Sequence, residues 1–150
     1  RAGRVIARPY LPGLPLAPAT LEGTPTDEAG TRVVELEGSR SWRLAFDASY
    51  EGALSVRIGS DSGLSITLEE GRLTVDLTGT RYPHGGRRIV TLDAGEASRV
   101  EILHDRSITE IYLGDGSRVF TTRSFLRGEG TGVTLSGAAS VTNVSAVRAD

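Results

Sequence analysis

Residues 108–123 read Ile-Thr-Glu-Ile-Tyr-Leu-Gly-Asp-Gly-Ser-Arg-Val-Phe-Thr-Thr-Arg, and this stretch is typical of a β-hairpin. Runs of β-branched and aromatic residues lie on both sides of Asp115-Gly116, which is the strongest short-range signal for a β-hairpin. A two-residue turn at this pair fixes the register of the two strands. The predicted opposing pairs are Gly114 with Ser117, Tyr112 with Val119, Ile111 with Phe120, Glu110 with Thr121, and Ile108 with Arg123.

Short β-rich runs of the same kind, separated by Gly, Asp, Ser and Asn, continue from about Thr31 to the end of the chain. This spacing predicts an all-β fold, a two-sheet antiparallel β-sandwich of the lectin-like jelly-roll type. The residues expected in its core are Trp42, Phe46, Ile111 and Phe120. The predicted strands lie near 32–37, 42–47, 52–58, 63–68, 71–77, 87–92, 98–104, 107–113, 117–123, 131–136 and 139–148.

The first part of the chain has a different amino-acid composition. Five of the six prolines fall within the first 25 residues, where they prevent a helix or a central strand. We therefore expect residues 1–28 to be an extended linker and residues 29–150 to be the sandwich module. Since the sequence contains no Met, we also expect the chain to be a piece of a longer translation product.

Composition excludes several functional classes. The 150 residues carry a net charge of −2, so no basic field favours nucleic acid as a partner. No apolar run approaches the roughly 20 residues that span a bilayer, so no membrane partner is predicted. With no Cys and only two histidines, His84 and His104, we predict neither a cofactor nor a transition-metal site, and both histidines are expected in turns or on the surface. Calcium binding through Asp and carbonyl oxygens is an open alternative to the prediction of no metal.

Polar side chains share the outward face of the predicted hairpin. Glu110 and Arg123 are diagonal neighbours there, beside Tyr112, and the link after His104 brings Asp105 and Arg106 to the same edge. Such a face offers paired donors and acceptors to a polyol, whereas the alternative is a solvated sheet face with a weak ion pair. Tyr82, in a turn-like polar segment, is a candidate for stacking on a sugar.

Residues 100–116 and 119–125 resemble the C-terminal β-sandwich of glycoside hydrolase family 32, which includes invertases, levanases and inulinases. The family's Asp-Arg-Ser-x-x-Glu-x-Phe strand, Asn/Asp-Gly turn and Thr-x-Arg strand correspond here to Asp105, Arg106, Ser107, Glu110, Tyr112, Gly116, Thr121 and Arg123. Tyr112 stands where Phe is usual, and Thr109 where Val is usual. Leu73 to Arg81 resembles a further strand of that family that ends near Arg.

The resemblance implies a function for the chain, a parent enzyme and a set of sugar-binding residues. The family's nucleophile and acid lie in a separate five-bladed propeller, in motifs that need Met and Cys, so we predict no catalytic residue and no enzyme activity here. The parent chain is expected to be a secreted β-fructofuranosidase or levanase. The similar carbohydrate-binding module family 66 holds terminal fructose, which makes Asp105, Arg106, Glu110, Arg123, Tyr112, Arg81 and Tyr82 the expected sugar-binding residues.

Three functions are therefore open. The first is a module that binds terminal fructosyl units of levan or inulin. The second is a structural accessory domain that buttresses the catalytic propeller without binding sugar. The third is an unrelated lectin-like adhesion domain. A buttress is expected to expose a contiguous apolar patch, whereas a sugar-binding module is expected to show a polar site with one or two aromatic side chains.

Overall fold

The structure, a computed structural model, describes residues 7, 16–18, 20–22, 32–35, 39–59, 63–127 and 132–149. Within these residues the chain forms eleven β-strands and one short 3-10 turn at Pro83–Gly85, with no α-helix. The strands are β1 (Leu16–Pro18), β2 (Thr20–Glu22), β3 (Arg32–Glu35), β4 (Ser41–Ile58), β5 (Leu64–Glu69), β6 (Arg72–Asp76), β7 (Arg87–Thr91), β8 (Arg99–Asp105), β9 (Ile108–Leu113), β10 (Arg118–Arg123) and β11 (Val133–Ala149).

Two long strands, β4 and β11, organise the fold because they pair with each other along most of their length and belong to both halves of the sheet. One half has the order β10, β9, β8, then the first part of β4 and the last part of β11, with β1 at its side. The other half contains β7, β6 and β5, the last part of β4, the first part of β11, and β3 and β2. All observed pairs are antiparallel, which confirms the predicted all-β class.

The two halves enclose one hydrophobic core. Ile111 on β9 of the first half and Ile66 on β5 of the second half belong to the same buried cluster. Trp42, Phe46 and Ile111 are buried as predicted, and Phe120 is half-buried against the cluster. The sheet halves therefore face each other as the two layers of a sandwich.

The strand β11 changes register where it crosses from one half to the other. Irregularities lie between Gly137 and Ala139 and between Thr142 and Ser145, and Asn143 has a left-handed φ of 50°. The Asn143 side chain donates a 2.7 Å hydrogen bond from Nδ2 to Oδ2 of Asp47 on β4. This bond, and then the ion pair with Arg99, hold the pKa of the Asp47 carboxyl below its ordinary value.

The observed strands differ from the predicted ones in two respects. Segments 42–47 and 52–58 form the single strand β4, and segments 131–136 and 139–148 form the single strand β11. In addition, β1 and β2 fall within the segment 1–28 that was predicted as a linker, where each is three residues long and pairs with one described strand. The domain boundary near residue 28 stays a prediction.

Candidate functional site

The hairpin of β9 and β10 has the predicted register. Tyr112 lies opposite Val119, Glu110 opposite Thr121, and Ile108 opposite Arg123. The connection itself is wider than the predicted two-residue turn, because the last strand pair is Leu113 with Arg118 and the loop is Gly114–Ser117. Both Gly114 and Gly116 take left-handed φ values, of 62° and 90°, and Asp115 does not, so the loop is not the tight Asp-Gly turn of the sequence prediction.

A second hairpin joins β8 to β9 at the opposite end of β9. Asp105 pairs with Ile108, so the link consists of Arg106 and Ser107 alone. Arg106 adopts a φ of 54°, and its amide donates a 2.7 Å hydrogen bond to the carbonyl of Arg40. The tight turn therefore projects the Arg106 side chain from the tip, where it is exposed.

His104 does not belong to this turn, so the prediction of a turn or surface position is wrong for this residue. It lies inside β8 on the core face and is only 2% exposed. Its Nδ1 is 2.9 Å from Oγ1 of Thr109, which in turn is 2.6 Å from Oγ of Ser124, and its ring stacks on Trp42. Burial lowers the pKa of His104 to about 4, although the nearby Asp105 charge and a backbone hydrogen bond with Arg106 raise it. His84, by contrast, is exposed in the 3-10 turn, as predicted.

The end of β10 lies beside the Arg106-Ser107 tip. The Ser124 amide donates a 2.8 Å hydrogen bond to the Ser107 carbonyl, which continues the β9–β10 register by one more pair and brings Phe125 next to the tip. The loop after β6 joins from the other side, because the Arg81 amide donates a 2.8 Å bond to the Phe125 carbonyl. Three separate segments thus meet at one edge of the sandwich.

We call this edge the tip surface and define it as Arg81, Tyr82, Asp105, Arg106, Ile108, Arg123 and Phe125. Its aromatic members are exposed, Tyr82 by 50% and Phe125 by 36%, and their rings pack edge to face with centroids 5.1 Å apart. The Arg81 guanidinium carbon lies 5.6 Å from the centroid of the Tyr82 ring. Exposed aromatic rings beside guanidinium groups are suited to contact a ligand that has both apolar and hydroxyl faces.

The loop that carries Tyr82 is held by buried hydrogen bonds. Thr80 is fully buried, and its Oγ1 donates to the carbonyl of Leu77 at 2.8 Å. The Thr80 carbonyl accepts a 3.3 Å bond from Nε of Arg127, and the amide of Leu77 donates to the carbonyl of Gly86 at 2.9 Å. Because its backbone is anchored, the loop can present Tyr82 in a defined position.

The tip surface carries more positively charged than negatively charged side chains. Asp105 is its one carboxylate, and Oδ1 of that residue accepts a 2.6 Å hydrogen bond from Ser41. Arg81, Arg106 and Arg123 supply guanidinium groups, and all three residues are exposed. Among the residues that the structure describes, the guanidinium groups of Arg106 and Arg123 have no hydrogen bond or ion pair, so their donors are available to a ligand.

Glu110 and Tyr112 lie on the same outward face of β9, farther from the tip. The Tyr112 hydroxyl donates a 2.9 Å hydrogen bond to Oε2 of Glu110, and Thr121 approaches Oε1 at 3.5 Å. Burial, and then the bond to Glu110, raise the pKa of Tyr112 to about 12. The Glu110 carboxylate is therefore occupied by groups of the protein itself.

The structure thus divides the seven predicted site residues. It gathers Arg81, Tyr82, Asp105, Arg106 and Arg123 on the tip surface, while Glu110 and Tyr112 bond to each other on the adjoining face. Their role in sugar binding stays a prediction. Sequence reasoning did not nominate Phe125, although it continues the outward alternation of Thr121 and Arg123 along β10.

Two further findings concern cofactors and membranes. Within the described ranges, no group of three or more His, Cys, Asp and Glu side chains is arranged to hold a metal ion. In the same part of the chain, no helix has the length and apolarity needed to cross a bilayer.

Comparison with known proteins identifies the family. The profile described as "Glycosyl hydrolases family 32 C terminal" matches residues 20–149, and the chain belongs to this family. It is therefore a C-terminal β-sandwich module of the glycoside hydrolase family 32 type, as the strand motif at 105–123 suggested. No match was found among curated proteins.

Solved structures show the same fold. The chain is similar to a glycoside hydrolase family 32 protein from Bifidobacterium adolescentis (TM-score 0.72, 20% identity, covering 99% of this chain and 24% of that one). It is also similar to sucrose-6-phosphate hydrolase from Lactobacillus gasseri (TM-score 0.65, 17% identity, 82% and 28%). A third similar structure is a fructofuranosidase from Schwanniomyces occidentalis (TM-score 0.66, 12% identity, 96% and 35%). The chain spans about a quarter to a third of the length of these relatives.

Proposed function

We propose that this chain is the sugar-recognising accessory module of a fructan-degrading family 32 enzyme, and that it binds terminal fructosyl units at the tip surface. The observation that carries the proposal is the exposed pair Tyr82 and Phe125, set among available guanidinium groups on an edge built by three segments. A furanose ring has apolar C–H edges that pack on aromatic rings and adjacent hydroxyls that donate and accept together. Arg106 and Arg123 can donate to those hydroxyls, and Asp105 can accept from them.

Two other observations support the same proposal. Family membership is consistent with a fructose-containing ligand, and the Schwanniomyces fructofuranosidase was solved in complex with fructosylnystose. Asp105 and Glu110 each bond to a neighbouring protein hydroxyl, which argues against their use as a catalytic carboxylate pair. Catalysis would then belong to another domain of the parent enzyme. Action outside the cell, on polymeric fructan, is part of this proposal.

The test is calorimetric titration of the chain with levan, inulin and sucrose. Tyr82→Ala is expected to weaken fructan binding about two- to tenfold, as is typical for loss of one aromatic contact. Ile89→Ala is the matched control, since Ile89 is also a large exposed apolar residue but lies on β7, outside the residues that define the tip surface. Equal affinities of wild type and Tyr82→Ala would show that the sugar does not bind at this edge.

A structural accessory domain is the second candidate, and one observation favours it. Ile108, 43% exposed, lies on the tip surface opposite Arg123, so it adds apolar area beside Phe125 that another domain could cover. If none of the three sugars binds to the wild-type chain at millimolar concentration while the fold is intact, the buttress function replaces sugar recognition.

A further inference from the structure

The tip surface carries an excess of positive charge, although the whole chain has a net charge of −2. Within the described residues, the exposed guanidinium groups of Arg81, Arg106 and Arg123 form no ion pair with a carboxylate. Asp105 is the one carboxylate of this surface, and it accepts a hydrogen bond from Ser41. A neutral sugar would leave this concentration of positive charge uncompensated.

Other arginine side chains of the described residues are neutralised by a carboxylate. Ion pairs with Asp or Glu are formed by Arg43, Arg72, Arg87, Arg99 and Arg118. Guanidinium groups that lie close together without a counterion repel one another. An anion that binds among the three arginines of the tip surface would relieve this repulsion, so the surface favours a negatively charged ligand.

The three arginines of the tip surface are placed around Phe125. The register of β9 and β10, continued past Ser107, brings Arg106 next to Phe125. Arg123 precedes Phe125 by two residues, so both side chains lie on the outward face, and both residues are exposed. The Arg81 amide donates a 2.8 Å hydrogen bond to the Phe125 carbonyl. Guanidinium groups from three segments therefore lie near one exposed aromatic ring.

Arg127 adds a further guanidinium group beside the tip surface. Its Nε donates a 3.3 Å hydrogen bond to the carbonyl of Thr80, the residue before Arg81. Arg127 is exposed, and it has no ion pair within the part of the chain that the structure describes. The positive charge thus extends past the end of β10 rather than ending at Arg123.

The chemistry of the guanidinium group identifies the anion. Its planar set of donors matches the oxygens of phosphate in pairs. A phosphate ester carries a charge of about −1.5 to −2 at pH 7 and has three acceptor oxygens, so it can bond to more than one guanidinium group at once. A carboxylate carries one charge and has two oxygens, so a single Arg can satisfy it.

We infer that the tip surface binds a phosphorylated sugar. The phosphate lies among Arg81, Arg106 and Arg123, and the sugar ring packs on Tyr82 and Phe125, whose rings are 5.1 Å apart. This inference rests on the proposed function in its choice of fructose as the sugar, and it adds the charge that the ligand carries.

The experiment is calorimetric titration of the chain with fructose 6-phosphate, fructose, levan and inorganic phosphate. We expect fructose 6-phosphate to bind about ten- to hundredfold more tightly than fructose, as for hydrogen bonds to a charged group. This advantage is expected to shrink in about 0.5 M salt, which screens exposed charges. Residue-resolved NMR is expected to show amide shifts at 81–82, 105–108 and 123–125.

Three variants locate the phosphate. Arg106→Gln and, separately, Arg123→Gln are expected to weaken binding of fructose 6-phosphate about tenfold and binding of fructose less. Arg57→Gln is the matched control, since Arg57 is exposed and without an ion pair among the described residues but lies on β4, outside the residues that define the tip surface. Melting temperatures of all variants are measured alongside, to show that the fold is retained.

The outcomes separate this inference from the proposed function. If levan and fructose bind but fructose 6-phosphate binds no more tightly than fructose, the phosphate site is overturned and the proposed function stands. If fructose 6-phosphate binds while levan and fructose do not, the phosphate site is supported and fructan is removed from the proposed function. Inorganic phosphate that binds as tightly as fructose 6-phosphate would overturn sugar recognition at this site. An equal loss of affinity in Arg57→Gln and Arg106→Gln would overturn the placement among the tip arginines, and absence of heat with every ligand would overturn both proposals.

Discussion

The buried imidazole of His104 makes the stability of this module depend on mild acid. Its pKa is about 4 in the folded chain and about 6.5 when exposed, so between these values the unfolded chain binds a proton that the folded chain does not. The contribution of neutral His104 to the free energy of unfolding is therefore fully present above pH 6.5, and it is lost as the pH is lowered toward 4. Integration over this window gives a loss of about 3 kcal/mol, a large part of the 5–15 kcal/mol typical of a domain.

The assay is urea unfolding at several pH values from about 7 to about 4.5, above the range where Asp47 and Asp76, with their lowered pKa values, lose their contributions. His104→Phe keeps a ring beside Trp42 but cannot titrate, so its stability is expected to be nearly flat over this range. His84→Ala should retain the wild-type slope. If the free energy of unfolding of His104→Phe changed with pH as steeply as that of the wild type, the reasoning would be refuted. An NMR titration of the wild type in which His104 is protonated above about pH 6 would also refute it.

Two further predictions test the register of β11 and the outward face of β9. Gly137→Ala should lower the free energy of unfolding by more than about 2 kcal/mol, since the φ of Gly137 is 129° and an added Cβ would lie 2.1 Å from the Ala53 carbonyl oxygen. Gly132→Ala should be nearly neutral in the same urea experiment, because no atom of the described residues lies within 4 Å of a Cβ added there. Tyr112, with a folded pKa of about 12 against 10.0 for the free side chain, should stabilise the fold below pH 10 and lose that contribution as the pH rises to 12. Glu110→Gln should lower the pKa of Tyr112 in a residue-resolved titration, and an unchanged value would contradict the assigned contact.

Local sequence rules predicted the parts of the fold that depend on local interactions. The β9–β10 register follows from side-chain alternation and from glycines at the loop, so it was obtained without any distant contact. The conformation of the loop was not predicted correctly from local sequence, because Gly114 also takes a left-handed φ and the connection is wider than a two-residue turn. The division of β4 into two strands was wrong for a non-local reason. Its middle residues are held extended by pairing with β11, which lies about ninety residues away.

The candidate site shows the same limit. Asp105, Arg106 and Arg123 were placed on one edge because two short hairpins bring them together, with Asp105 on β8, Arg106 in the following turn and Arg123 on β10. Phe125 was not nominated, since its partner Tyr82 comes from a loop about forty residues earlier. His104 was misplaced because the hydroxyls that make its burial tolerable, Thr109 and Ser124, belong to other segments and cannot be assigned to it from sequence.

The shared strand β11 has a consequence for how this module folds during synthesis. It is the last of the described strands, and its pairing with β4 joins residue 149 to residue 41. Both sheet halves contain part of β11, so neither can be completed on the ribosome before the residues of this strand emerge. Folding of topologies dominated by such distant pairings is slow, because the loop must close before any contact rewards it. Loss of the whole of β11 would therefore disrupt both sheet halves, whereas loss of Ser145 to Ala149 alone would directly remove only the pairs with the first part of β4 and with β1.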